Sequence, residues 1–139
     1  MNNILTALAT KISTSTFLTN LSGRIWLDSY QGDLPIIYPY CIYSVVTAPL
    51  EKTFTEEYRN TLIQFTICSS SSSAVEITGL YGDLKTLLDD QSLGTITSNT
   101  LVSMKEENLV TTTEEITASD GSQVIKVWHV DYEIITSKS

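Results

Sequence analysis

The 139 residues, 42% apolar and 17% charged, suit a single globular domain that needs no disulfide or metal staple. A formal charge of −8 without a basic stripe excludes a protein that grips DNA by neutralising phosphates. No run reaches transmembrane length, and the apolar patch at 3–12 lacks the basic segment that precedes a signal peptide's core.

Ile4, Leu5, Leu8 and Ile12 recur every three to four residues, which predicts an amphipathic helix from about residue 3. The Ser/Thr run at 13–16 weakens it, because these side chains compete for backbone hydrogen bonds. Helical structure is expected to about residue 19, with room for a turn and a second short piece. Gly23 then punctuates, and residues 24–27 read as a short strand.

Residues 28–39 form a loop by composition, with Gly32, Pro35 and Pro39 as breakers. The strand expected at 40–47 belongs to the stretch YPYCIYSVV, which is apolar on both sides. Tyr40, Ile42 and Val46 share one face, and Cys41, Tyr43 and Val45 share the other. Such a strand needs cover on two faces. The second face is open to cover by the C-terminal hairpin or by a neighbouring subunit; we expect the neighbour, with Tyr40, Ile42 and Tyr43 contributing to a subunit interface.

A charged connection at 48–58 leads to a half-buried strand at about 60–68, where Ile63, Phe65 and Ile67 alternate with Leu62, Gln64 and Thr66. It is expected to pair antiparallel with 40–47. The serine run at 69–73 reads as a capping loop, with Ser73 and Glu76 spaced for a capping box. Ala74, Ile77, Leu80, Tyr81, Leu84, Leu87 and Leu88 predict a helix over about 73–90, ended by Asp89-Asp90 and Gly94. Negative charge there opposes the helix dipole, so both carboxylates are expected to face water.

The last third reads as a hairpin over about 101–135 around the turn Ser119-Asp120-Gly121-Ser122. In its second strand Val124, Trp128, Val130, Tyr132 and Ile134 share one face, with Ile125, Val127, His129, Asp131, Glu133 and Ile135 on the other.

Catalytic groups are sparse. His129 and Asp131 share a strand face, but no nucleophile motif accompanies them, so a surface histidine is the better reading. One histidine and two separated cysteines do not suit a structural zinc site, and no calcium or phosphate loop is present. No catalytic, cofactor-binding or metal-binding residue is assigned. Cys41 and Cys68 are expected as free buried thiols, or as a bridge if they sit side by side on facing strands. Trp26, Trp128 and the seven tyrosines suit either a core or a protein interface.

Several of these pieces occur in a telling order. An N-terminal helix leads into Leu21-Ser22-Gly23-Arg24-Ile25-Trp26, and a proline-containing loop leads into Tyr38-Pro39-Tyr40-Cys41-Ile42. The strand from Arg59 to Ser69, the helix from Ser73 to Asp90 and a closing hairpin ending in Val124–Ile135 follow. In this order the chain resembles the tail completion or tail terminator proteins of long-tailed bacteriophages, also called head–tail joining proteins. The resemblance spans nearly the whole chain, with Gly23-Arg24 and Pro39 its most specific points. The acidic segment 105–119 matches no motif.

The resemblance implies an α+β fold: a mixed or mostly antiparallel sheet of about four to five strands with two helices on one face. It implies a non-enzymatic virion protein at the head–tail interface, assembled in the host cytoplasm and forming a homo-oligomeric ring, typically of six subunits. Its expected partners are copies of itself, the tail tube protein and the connector or neck proteins, with no membrane and no cofactor. Another neck adaptor or minor tail protein of similar fold is the alternative, and a small hydrolase or ligand-binding module a weaker one. DNA would pass through the ring without specific binding. All of the −8 charge falls within residues 51–139, so an acidic lumen lined by Glu56, Glu57, Glu106, Glu107, Glu114 and Glu115 is expected.

Overall fold

The computed structural model describes residues 2–52, 57–71, 73–89, 91–94, 96, 99–118 and 121–138. The N-terminal helical region is two helices, α1 (Asn2–Ser13) and α2 (Thr16–Asn20). Ser15 makes the break. Its hydroxyl donates to Ile12 O at 2.6 Å, closing α1, and accepts from Leu18 N at 3.1 Å, capping α2. The offset turns Phe17 and Leu21 inward beside Ile4, Leu8 and Ile12, and all five are buried.

After α2, Ser22 (φ 53) and Gly23 (φ 80) turn left-handed, so that Gly23 N closes on Leu18 O at 3.0 Å. Six strands follow: β1 (Ile25–Leu27), β2 (Tyr40–Thr47), β3 (Leu50–Lys52), β4 (Glu57–Ser69), β5 (Asn99–Ala118) and β6 (Gly121–Lys138). The main path through the sheet is β1-β2-β4-β6-β5, with β3 paired to the start of β4. Among the described strand pairs only β1 and β2 run parallel. The fold is α+β with a mixed, mostly antiparallel sheet.

The helix α3 (Val75–Leu88) enters through a serine ladder rather than a capping box. Ser71 N donates to Ser69 Oγ, Ser73 N to Ser71 Oγ and Val75 N to Ser73 Oγ, each two residues on. Glu76 is occupied elsewhere, accepting from the Ser69 hydroxyl at 2.6 Å. Ile77, Leu80, Leu84 and Leu88 point from α3 into the sheet, each buried. No described helix is long and apolar enough to cross a membrane.

The helices cover one face of the sheet. That face carries Cys41 and Tyr43 on β2, Ile63, Phe65 and Ile67 on β4, Val130, Tyr132 and Ile134 on β6, and Met104 on β5. Strand register sets these side by side: Tyr43 lies opposite Phe65, which lies opposite Val130. Fully burying each large apolar side chain stabilises by roughly 1.5–3 kcal/mol, which makes this layer the main source of cohesion. Cys41 belongs to it, whereas Cys68 pairs with Tyr40 on the opposite face. The two thiols therefore point to opposite sides of the sheet and remain free.

Asp89 does not face water alone. It forms an ion pair with Lys85 at 2.8 Å and accepts a hydrogen bond from Glu106 N at 3.3 Å, tying the end of α3 to β5. Lys85 also reaches Glu106 at 3.1 Å, and the Tyr81 hydroxyl donates to the same carboxylate. Burial alone would raise the Asp89 pKa, but Lys85, Tyr132 and the Glu106 amide outweigh it and hold the pKa below the usual value of 3.8. A depressed carboxylate stabilises the fold above its unfolded pKa, and that contribution fades as the pH falls through its folded value. Stability measured by denaturant titration should therefore drop below about pH 4, and Asp89→Asn should flatten that part of the profile. An unchanged slope in the variant would show that the pair carries no linkage.

Candidate functional site

Among the described residues no helix lies over the second face of the sheet. Its central residues are polar and bonded to one another across β4 and β6. Gln64 Nε2 donates to Asp131 at 3.0 Å, and Thr66 Oγ1 shares a hydrogen bond with His129 Nδ1 at 3.0 Å. Asn60 Nδ2 reaches Glu133 at 3.5 Å. His129 and Asp131 are thus each engaged with a β4 side chain: the Thr66 hydroxyl lies against the imidazole, but Asp131 is bonded to Gln64, so the hydroxyl–imidazole–carboxylate relay of a nucleophilic site is not assembled. Such a ladder fixes register and leaves a flat, half-buried surface.

Toward β1 the face turns aromatic. The Trp26 ring meets the Tyr30 ring at 4.7 Å edge-on, Tyr30 meets Tyr40 at 5.1 Å, and Tyr40 meets Tyr38 at 5.4 Å. The loop holds this cluster through its own bonds: the Tyr30 hydroxyl donates to Asp33 O at 2.6 Å and accepts from Ile37 N at 3.2 Å. Gly32 is required for the close approach, since a Cβ there would lie 2.7 Å from Tyr30 Oη and 2.8 Å from the Trp26 ring. Leu34, Ile36 and Ile37 stand exposed on the same loop, Leu34 at 82%. An aromatic platform with exposed aliphatic side chains beside it has the composition of an interface core.

Arg24 anchors the loop to the sheet. Its Nε donates to Pro39 O at 2.8 Å and its terminal nitrogen to Tyr38 O at 3.2 Å. The guanidinium is planar and forked, so one side chain satisfies two successive carbonyls. Arg24→Ala should cost about 1–3 kcal/mol, read as a lower midpoint in urea with an unchanged m-value. Arg24→Lys should recover only part of that loss, because an ammonium lacks the fork. Full recovery by Lys would contradict the paired-carbonyl role.

The expected interface residues divide between the two faces. Tyr40 and Ile42 are half-buried on the uncovered side. Tyr43 is 8% exposed and stacks on Phe65 at 5.6 Å, inside the chain's own core. Adjacent strand positions alternate in direction, so one neighbour cannot meet all three, and Tyr43 leaves the set. Burial raises the Tyr40 pKa, reinforced by its bond to the Cys68 thiol. Burial also pushes both thiols up, so neither is primed as a thiolate nucleophile.

The acidic set divides as well. Glu106 is spent on Lys85 and Tyr81. Glu57 lies 4.0 Å from Lys52, and Glu56 lies outside the described residues. Glu107, Glu114 and Glu115 are exposed on β5. Glu114 and Glu115, being neighbours in a strand, point to opposite faces, so a single lumen wall cannot take both.

No protein-family model matches the sequence, and no curated protein matches it either. Among solved structures the chain is similar to a chain in the virion of a native gene transfer agent particle. The TM-score is 0.60 at 12% identity, with 90% of each chain covered. That match establishes a shared fold along nearly the full length of both chains.

Proposed function

We propose that this chain is a non-enzymatic structural protein of a phage-like virion. It assembles as a six-subunit ring that ends the tail tube and joins it to the head connector. The observation that carries the reading is the shared fold: the neighbour belongs to a virion, and nine-tenths of each chain takes part in the likeness. The sheet supports it. A face uncovered by helix, with Tyr40, Ile42 and Trp26 half-buried beside exposed Leu34, Ile36 and Ile37, suits repeated contact between copies.

In this reading the subunits meet through the aromatic end of the uncovered face. DNA passes through the lumen unbound, and the chain's negative charge keeps phosphate from adhering. Light scattering should return six times the 15.4 kDa subunit mass, and imaging should show annular particles. A monomer at high concentration, both alone and mixed with tail tubes, would contradict the ring.

A further inference from the structure

The outer edge of the sheet is finished in one half and open in the other. β5 is an edge strand of 20 residues, and among the described residues only β6 pairs along it. In its first half the edge is blunted repeatedly. Register breaks fall between Leu101 and Ser103 and between Glu106 and Asn108, Ile96 bridges to Asn99, and Glu106 N is taken by Asp89. Lys105 adds a charge. Bulges, lysines and covering segments are the usual means of keeping a strand edge from recruiting another chain.

Among the described residues no register break, lysine or covering segment occurs from Asn108 to Glu115, and the charges of this stretch, Glu114 and Glu115, are acidic. The register against β6 runs unbroken there, from Asn108 opposite Asp131 to Glu115 opposite Val124. The sequence is Asn-Leu-Val-Thr-Thr-Thr-Glu-Glu, rich in β-branched residues and free of Lys and Pro. All eight residues are exposed except half-buried Leu109. Among the described residues the other free strands, β1 and β3, have three residues each.

We infer that residues 108–115 of β5 accept an extended strand from a different protein, one carrying Lys or Arg beside Glu114 and Glu115. The inference stands on the edge alone and does not need the ring. Charge selects the occupant. Glu107, Glu114 and Glu115 make the edge acidic, and a second copy meeting it edge to edge would bring the same acidic run. The chain has few bases to offer. Of the eight, Arg24, Arg59 and Lys126 are bonded to backbone carbonyls, Lys85 to Asp89 and Glu106, and Lys52 lies 4.0 Å from Glu57, while Lys105 is exposed on β5 but in its blunted half, outside 108–115. An added strand supplies main-chain hydrogen bonds for affinity and side chains on alternate faces for selectivity. Two consecutive bases on it would meet Glu114 on one face and Glu115 on the other.

The test uses the full chain and an end-blocked eight-residue peptide of alternating Val and Thr with two consecutive Lys. Amide hydrogen exchange is followed at residues 108–115, beside the same peptide with Glu for Lys. The Lys peptide should slow exchange there by about ten-fold more than the Glu peptide. The double variant E114K/E115K, altered only at exposed positions, should reverse that order. Backbone N-methylation of the peptide should abolish the effect. Failure of both peptides at millimolar concentration, or protection elsewhere in the chain, would overturn the inference. Protection in the peptide-free protein that grows with its own concentration would overturn it too, because a second copy would then fill the edge.

Discussion

Replacing Phe65 with Ala should lower the stability by about 3–5 kcal/mol, the largest loss expected from any single truncation in this chain. Phe65 is 0% exposed on the central strand β4, and its ring joins two others. It stacks on Tyr43 at 5.6 Å and meets Tyr132 edge-on at 6.0 Å. Truncation removes the ring's own burial, both aromatic contacts and the wall on which α3 packs. Helix and sheet close over the site from opposite sides, so little can move in to fill it. In thermal unfolding the midpoint should fall by about 10–15 °C. Phe65→Leu should lose much less, because volume is largely kept. Equal losses in the two variants would show that volume and stacking do not dominate there.

Ile42→Asp should leave the subunit folded yet weaken its self-association by about 100-fold or more. Ile42 lies on the uncovered face, in register with Trp26 on one side and Thr66 on the other. In an isolated subunit it is half-buried, so water still reaches an introduced carboxylate and the cost to folding is about 1 kcal/mol. Between subunits the same carboxylate would be desolvated with no base to pair it, which costs about 3–5 kcal/mol. The two costs fall on different measurements. Near-UV circular dichroism reports the subunit, and sedimentation reports the assembly. Unaltered assembly by a folded variant would move the subunit contact away from this face.

Where the sequence was readable, one physical period dominated. The alternation of Ile63, Phe65 and Ile67 marks the core face of β4, and the three-to-four spacing through Leu80, Leu84 and Leu88 marks the buried stripe of α3. Parity alone separates Tyr43 from Tyr40 and Ile42. The acidic stretch hid the length of β5, because Lys105, Glu106 and Glu107 interrupt its apolar pattern while two register breaks shift its phase.

Long-range pairings were hidden for a different reason. Lys85, four residues before Asp89, is a local signal for the ion pair that the helix-dipole argument passes over, whereas nothing local tells Asp89 that the Glu106 amide will meet it. Glu76 is spaced for a capping box but finds Ser69 instead. Arg24 and Pro39 were visible as separate signals, and only the fold shows that one binds the carbonyl of the other. The uncovered face, the main element of the candidate site, follows from where the three helices gather. That is a property of packing rather than of any single segment.

The most direct test of the account is virion assembly without this protein, with tail length and head attachment scored by electron microscopy. A tail terminator predicts tails that run overlong or fail to join heads, with both defects repaired by the intact chain and not by Ile42→Asp. Tails of normal length, joined to heads in normal number, would contradict it.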